Sequence, residues 1–425
     1  MQKIKYTGTD EIVYYEKLDN GLEVFMYPIK TAKNFYLTFN TKFGSLDTRF
    51  KNEKTNRITE IPHGTAHFIE HQMFQEEDGK TAFEYFAKLG SSVNAFTTYN
   101  LTCYEVIGST SFKENLIGLL DFVQNPVFKT TSVNSEKNII KSEIEMYDNN
   151  PNTKASYGLE YNLNIHDNHK YSISGTVEDI KDITKDILYN TYETFYHPSN
   201  MFLVLTGNFK PLEALGIIKE NQNKKEFNQS INVAKIKAKE PTKVALAYSE
   251  ASSDVSIPKI KIAYKISKAP FKEFKYTELK VYLDAILEIE FGPTSEIAEL
   301  FIKENLSPQS IEYSADIRHN YIVITIGVES NYKSEVITLI REKMQKIKIT
   351  SEDLERIKRV FTSNFIMHFD DIITVCENIQ DDIINEGFII NNIMTIYKSL
   401  NVKTVNEILT KLDISNECIY IIENK

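Results

Sequence analysis

Cysteine is scarce in this sequence. Its three residues, Cys103, Cys376 and Cys418, are scattered along 425 positions, too few and too far apart for a disulfide framework or a cysteine-ligated metal site. Such usage fits a reducing compartment, with each thiol serving as a small buried hydrophobe. An apolar run of about 18 residues is also missing, and Met1-Gln2-Lys3-Ile4-Lys5-Tyr6 leads into no apolar signal core. The expectation is a cytoplasmic protein that does not engage a membrane. Basic excess is lacking too. Lys and Arg number 49 against 59 Asp and Glu, a formal charge of −10, so the surface offers no attractive field for nucleic acid.

What the chain does have is an ordinary globular balance, with 42% hydrophobic and 25% charged residues. Its length exceeds what one core usually serves, which predicts two domains. Asn20-Gly21 marks a tight turn before a strand over Leu22–Tyr27, and Phe35–Phe43 alternates as a second strand. A polar loop over Arg49–Thr59 leads to Pro62 and a helix. A second helix places Phe83, Phe86 and Ala87 at core spacing, and strands follow at Ser92–Thr97 and Leu101–Ile107. Leu116, Leu119, Leu120 and Val123 mark a helix, Ser135–Tyr147 a longer one that stops near Pro151, and Met201–Gly207 a buried strand. The stretch from Ile218 to Pro241 turns to Lys, Asn, Glu and Gln and reads as a linker. Beyond it the order repeats: strands at Val244–Tyr248 and Lys259–Ile266, helices at Phe274–Glu290 and Ser295–Asn305, and strands at Ser310–Ala315 and Tyr321–Val328. Helices over Glu335–Ile347 and Glu352–Glu386 precede a last strand at Cys418–Ile422. This recurrence predicts an α+β fold of two homologous domains, each a mainly antiparallel sheet with helices packed on one face. The expected boundaries are 1–217, a linker at 218–241, and 242–425.

The chemistry concentrates in His67-Phe68-Ile69-Glu70-His71. Four residues apart on a helix, His67 and His71 project from one face about a turn from each other, a spacing that lets two imidazoles share one metal ion. Glu70 lies on the same side, within reach of a water beside that ion. Ala66, Ile69 and Met73 form a separate apolar stripe that seats the helix in a core. A metal that keeps one position open needs a third protein ligand. The helix over Ser135–Tyr147 offers Glu136 and Glu143, seven apart and therefore on one face, two turns from each other. Two glutamates at that spacing are ordinarily a solvated stripe, so the helix alone does not decide their role. His63, four residues before His67, is a helix-start residue, because three successive i, i+4 histidines do not converge on one tetrahedral ion. His197 before Pro198 reads as structural, and Arg318-His319 as a polar turn.

Taken together, these residues resemble the insulinase, pitrilysin and mitochondrial-processing-peptidase family of zinc metallopeptidases. The order H-x-x-E-H is that family's inverted form of the more widespread H-E-x-x-H helix. Between His71 and Glu143 lie 71 residues, the separation at which the family places its third ligand, and Glu136 falls where it has a second glutamate. Gly90-Ser-Ser-Val-Asn94-Ala95-Phe-Thr97, followed by Thr102-Cys-Tyr104, resembles its edge-strand segment. Tyr196-His197-Pro198-Ser199-Asn200-Met201, followed by Gly207, resembles the approach to its last strand. The whole chain fits one unit of two homologous domains, and Gly44 to Gly207 is especially similar to a bacterial zinc-bearing subgroup. The resemblance implies zinc held by His67, His71 and Glu143, with Glu70 as general base and Glu136 orienting a ligand histidine or water. It implies a peptide substrate added as an extra strand beside Asn94 and Ala95.

One departure bears on partners. The family's second domain usually supplies an Arg, and a Tyr seven residues later, for the oxyanion. Phe301 and Pro308 stand at those positions here. The resemblance therefore implies the zinc-bearing half of a heterodimer, closed like a clamshell around a chamber, with a homologous partner supplying the pair. Alternatively Lys303, Tyr313, Arg318 or Tyr321 replaces it. Two further readings stay open: a non-catalytic peptide-binding or scaffold subunit, and a metal-storage or metal-sensing protein that would not depend on Glu70.

Overall fold

The computed structural model describes residues 1–75 and 81–424. Its contacts divide the chain into two units. The first comprises Met1–Ile144, Ser172–Ile236 and Ile366–Asn392; the second comprises Glu145–Tyr171, Lys237–Phe365 and Ile393–Lys425. Each unit thus takes a piece from the far half of the sequence. The stretch expected to link two domains falls partly in one unit and partly in the other, and carries the end of the helix Pro211–Asn223 and the short strand Val233–Lys235.

The first unit is built on a seven-stranded sheet. Its order is Gln2–Lys5, Ile12–Lys17, Glu23–Pro28, Met201–Gly207, Phe35–Thr41, Thr102–Gly108 and Ser92–Thr97. All neighbours are antiparallel except Glu23–Pro28 beside Met201–Gly207. Alternation along Phe35–Thr41 sends Phe35, Leu37 and Phe39 into a core shared with Phe68, Ile69, Leu116, Leu120 and Ile140. Tyr36, Thr38 and Asn40 therefore face the opposite way. That second face is covered by the helix Ile372–Asn385, where Gln380 Nε2 donates to Asn40 Oδ1 at 2.8 Å and Thr206 Oγ1 donates to the Ile372 carbonyl at 2.7 Å. A wholly buried polar face is tolerated because these groups satisfy one another.

The second unit repeats the last five strands of that order: Tyr248–Ser253, Glu417–Asn424, Lys259–Ser267, Tyr321–Glu329 and Glu312–Ile317. Its first pair is parallel and the others antiparallel. This is the same connectivity, and it bears out the α+β reading of two homologous, mainly antiparallel sheets, each with most of its helices on one face. The other face is again closed by one helix from the far half of the sequence, Pro151–Leu163. Ala155, Leu159 and Leu163 on that helix pack with Ala263, Val323 and Ile422.

Four local expectations are corrected. Arg49–Thr59 is no simple loop; Arg49–Asn52 and Ile58–Glu60 pair with Val233–Lys235 in a small sheet. Strands of three or four residues are too short to show alternation, and the third comes from far along the chain. The strand expected at Val244–Tyr248 lies at Tyr248–Ser253. The helix carrying Glu136 and Glu143 begins at Thr130 rather than Ser135. The helix expected over Glu352–Glu386 is two, Ser351–His368 and Ile372–Asn385. Asp371 caps the second by accepting from Thr374 N, a start signal inside what reads as one apolar period.

One buried ion pair fixes the second unit. Lys265 Nζ lies 2.5 Å from Glu240 Oε1, with neither side chain exposed, and also donates to the Leu163 carbonyl at 2.7 Å. Glu240 in turn accepts from the backbone N–H of Ile165, His166 and Asp167. Lys265→Met leaves that carboxylate buried without its cation, so stability should fall by ~3 kcal/mol. Chemical denaturation of the two proteins measures this; an unchanged midpoint would contradict the importance given to the pair.

Candidate metal centre

His67 and His71 lie on the helix Thr65–Met73, which Gly64 starts with φ +81°. A side chain at Gly64 would meet the Ser174 carbonyl at 2.3 Å, so only glycine lets the chain enter the helix at this point. Thr65 Oγ1 donates to the Pro62 carbonyl at 2.7 Å and closes the turn. Phe68, Ile69 and Met73 anchor the helix in the core, leaving the histidine face toward the second helix, Thr130–Asn149. His63 precedes the helix altogether.

On the second helix Val133, Glu136, Ile140 and Ile144 form the buried stripe, and Glu143 stands at its margin. Glu143 Oε1 lies 3.5 Å from His67 Nε2, and its Oε2 lies 3.3 Å from His71 Nε2. One donor atom from each of the three residues falls within 4.8 Å of the others. A tetrahedral ion with zinc-like bonds of ~2.0–2.1 Å separates its ligands by roughly 3.3–3.5 Å. The two nitrogen–oxygen distances are close to that edge but run to different oxygens of Glu143, so the fit rests on the donor set: two neutral imidazoles and a carboxylate are an ordinary one for zinc.

Glu136 is not the third ligand. Its Oε1 lies 3.0 Å from His71 Nδ1, and its Oε2 accepts from Gln72 Nε2 at 3.3 Å. A carboxylate can only accept there, so Nδ1 carries a proton, and Nε2 is the nitrogen turned toward Glu143. His67 has no such support; its Nδ1 is buried without a hydrogen-bond partner among the described residues.

Glu70 is buried, and Thr97 Oγ1 donates to its Oε2 at 2.7 Å. Burial raises its carboxyl above the usual range, against the opposing pull of His67, Thr97 and His71. Glu143 moves the other way: hydrogen bonds from His67 and His71 hold it well below the ordinary carboxylate range. Thr97 ends the strand Ser92–Thr97, the last strand of its sheet, which pairs with Thr102–Gly108 on one side. Asn94 and Ala95 lie on this strand, with Asn94 exposed. The helix pair and the edge strand thus bring His67, Glu70, His71, Glu136 and Glu143 together beside a strand edge that is open among the described residues. Thr97, Gln72 and Ser132 are the members sequence reasoning did not single out. Thr97 stands within the quoted edge-strand segment, and Gln72 directly follows His71.

The alternative oxyanion donors are engaged elsewhere, in the second unit. Arg318 is buried, with both terminal nitrogens on Glu160 and Nε on Asp316. Tyr321 donates to Asn164 Oδ1 and Tyr313 to Glu288 Oε2. Lys303 is exposed. Phe301 is buried in the core of that unit, and Pro308 is exposed. His197 caps the turn Pro198–Asn200 and bonds Ser199.

Two family models match the sequence: Insulinase (Peptidase family M16) over residues 59–177 and Peptidase M16 inactive domain over 182–361. The chain is also 34% identical over 369 residues to YmfH of Bacillus subtilis (strain 168), described as an uncharacterized zinc protease, and 86% of each protein is covered. This chain belongs to the M16 peptidase family. Among solved structures it is similar to an M16-like peptidase of Alicyclobacillus acidocaldarius, with TM-score 0.92 and 26% identity over 99% of this chain and all of that one. The periplasmic protease PqqL of Escherichia coli shares the fold, with TM-score 0.77 and 18% identity over 99% of this chain but 48% of PqqL. No helix among the described residues is long and apolar enough to cross a membrane.

In the metal-free protein, burial favours a neutral His71, but the hydrogen bonds to Glu136 and Glu143 outweigh it and raise the ring from 6.5 to about 10. A raised histidine stabilises the fold fully below its unfolded value and loses that contribution as pH climbs through the folded one. The stability gap between metal-stripped wild type and His71→Gln should therefore narrow from pH 6.5 toward 10. Thermal denaturation across that range checks it, and a constant gap would contradict the assignment.

Proposed function

We propose that this chain is a zinc-dependent endopeptidase acting on short unfolded peptides. One observation carries the reading: three metal donors converge beside a buried glutamate that is hydrogen-bonded to the edge strand. His67, His71 and Glu143 would hold zinc, which would supply a Lewis acid for the scissile carbonyl. Glu70, its carboxyl raised above the usual range by burial, takes the proton of the attacking water and returns it to the leaving amine as the C–N bond breaks. An extended peptide adds beside Ser92–Thr97 through main-chain hydrogen bonds, with Asn94 and Ala95 as neighbours, a mode that reads extended conformation more than side chains. The same strand carries Thr97, so the element that aligns the peptide also aims the base.

We infer further that the chain acts as the catalytic half of a heterodimer closing around a chamber. Phe301 and Pro308 offer no side-chain donors to an oxyanion, and Arg318, Tyr313 and Tyr321 already hold carboxylates or an amide. Lost oxyanion donors typically lower rates ~10²–10³-fold. A homodimer would not repair this, because both copies lack the pair. The free, buried state of all three cysteines supports a reducing, cytoplasmic setting. A non-catalytic peptide-binding subunit is the second reading. It draws on the match of residues 182–361 to a domain named inactive, yet leaves the converging metal donors without a role.

Two outcomes are expected. Glu70→Gln should retain metal but lose ~10²-fold or more in peptide hydrolysis, measured by cleavage of an unstructured peptide alongside zinc content. Near-normal turnover of a metal-replete variant would remove Glu70 as the base. The chain alone should cleave slowly and gain activity when titrated with a homologous chain that carries the Arg–Tyr pair. Full activity alone, abolished by Arg318→Ala or Tyr313→Phe, would contradict the heterodimer.

A further inference from the structure

Gln72 is wholly buried, one residue after His71. Its amide reaches the second ligand helix at two points. Nε2 donates to Glu136 Oε2 at 3.3 Å, and Oε1 accepts from Ser132 Oγ at 3.0 Å. Ser132 and Glu136 are four apart, one turn of that helix, so a single amide spans the turn. Ser132 Oγ also lies 2.9 Å from the Lys129 carbonyl, where the helix begins, so its one proton is shared between the two acceptors. Glu136 uses its remaining oxygen on His71 Nδ1. A continuous chain of side chains therefore runs from the start of the glutamate helix, through Gln72 and Glu136, to one ligand histidine. His67 Nδ1 has nothing comparable. Among the described residues, polar support at the Nδ1 side of the two rings is lopsided, and it passes through Glu136.

We propose that Gln72 is a positioning residue for metal binding, a clasp that sets the spacing of the two ligand-bearing helices and holds Glu136 against His71. The proposal deepens the zinc-peptidase reading and rests on it. Its physical basis is the amide's double role. Only a group with a donor and an acceptor at one tip can serve Glu136 and Ser132 together. Glutamate at this position would set a second carboxylate against Glu136, and methionine would keep the length while offering neither bond. Outer hydrogen-bond partners of metal-bound histidines typically contribute 10–100-fold to metal affinity.

Zinc affinity, read by competition with a chromogenic chelator, and the visible spectrum of the cobalt-substituted protein test this without any peptidase assay. Gln72→Met should weaken zinc binding ~10–100-fold and shift the cobalt bands. Ser132→Ala, at a half-buried position, should weaken binding less but in the same direction. In a Glu136→Leu background, Gln72→Met should add almost nothing, because the acceptor it serves is gone. Wild-type affinity in Gln72→Met, or losses that add in full on Glu136→Leu, would overturn the clasp and leave Gln72 a packing residue. Should Gln72→Met fail to fold, unchanged zinc affinity and cobalt spectrum in Ser132→Ala would overturn it equally. Wild type that binds no zinc would bring down the peptidase reading and the clasp together, whereas tight zinc binding indifferent to Gln72 would bring down the clasp alone.

Discussion

The hydrogen bond between His71 Nδ1 and Glu136 is the interaction on which the rest of the site depends. An imidazole that binds a metal must be neutral and must present the right nitrogen, and a carboxylate on the opposite nitrogen secures the second requirement. Glu136 can do so only because Val133, Ile140 and Ile144 bury its stripe of the helix against the core. Burying a carboxylate is expensive unless its oxygens are satisfied, and here His71 takes one and Gln72 the other. Glu143, two turns along and less buried, is left to face both Nε2 atoms. Two glutamates on one face thus acquire different tasks from depth alone.

The duplicated sheets show how one architecture carries chemistry in one copy and structure in the other. In the first unit the helix nearest the edge strand carries two histidines, and the strand's Thr97 bonds Glu70. In the second unit Tyr313 on the edge strand Glu312–Ile317 bonds Glu288 on the helix Tyr276–Phe291. The helix-to-edge contact persists while the metal donors do not. Each sheet's other face is closed by a helix from the far half of the sequence, Ile372–Asn385 in one and Pro151–Leu163 in the other. Neither unit's buried layer is therefore complete without both halves of the chain.

Much of this was legible in the sequence, and the limits are instructive. His67, Glu70 and His71 were readable because helical periodicity fixes which side chains share a face. Glu136 and Glu143 became readable only through the resemblance, since heptad-spaced glutamates alone mean a solvated stripe. The clasp was invisible: Gln72 and Ser132 meet because two helices pack, and nothing local in either segment announces it. The strands Arg49–Asn52, Ile58–Glu60 and Val233–Lys235 were missed because pairing, not alternation, defines them. The break before Ile372 did leave a signal, Asp371 three residues ahead of Thr374, which a longer apolar rhythm concealed. The exchanged helices have ordinary amphipathic sequences, and their partners are set by tertiary packing.

The account turns on a metal held by two imidazoles and one carboxylate, with no sulfur. X-ray absorption at the zinc edge of the purified protein reads that ligand set directly. The spectrum should fit two imidazole nitrogens with the remaining near neighbours oxygen, at bond lengths of ~2.0–2.1 Å, and one imidazole should vanish in His67→Ala. A third imidazole, a sulfur neighbour, or a spectrum unchanged by His67→Ala would contradict it.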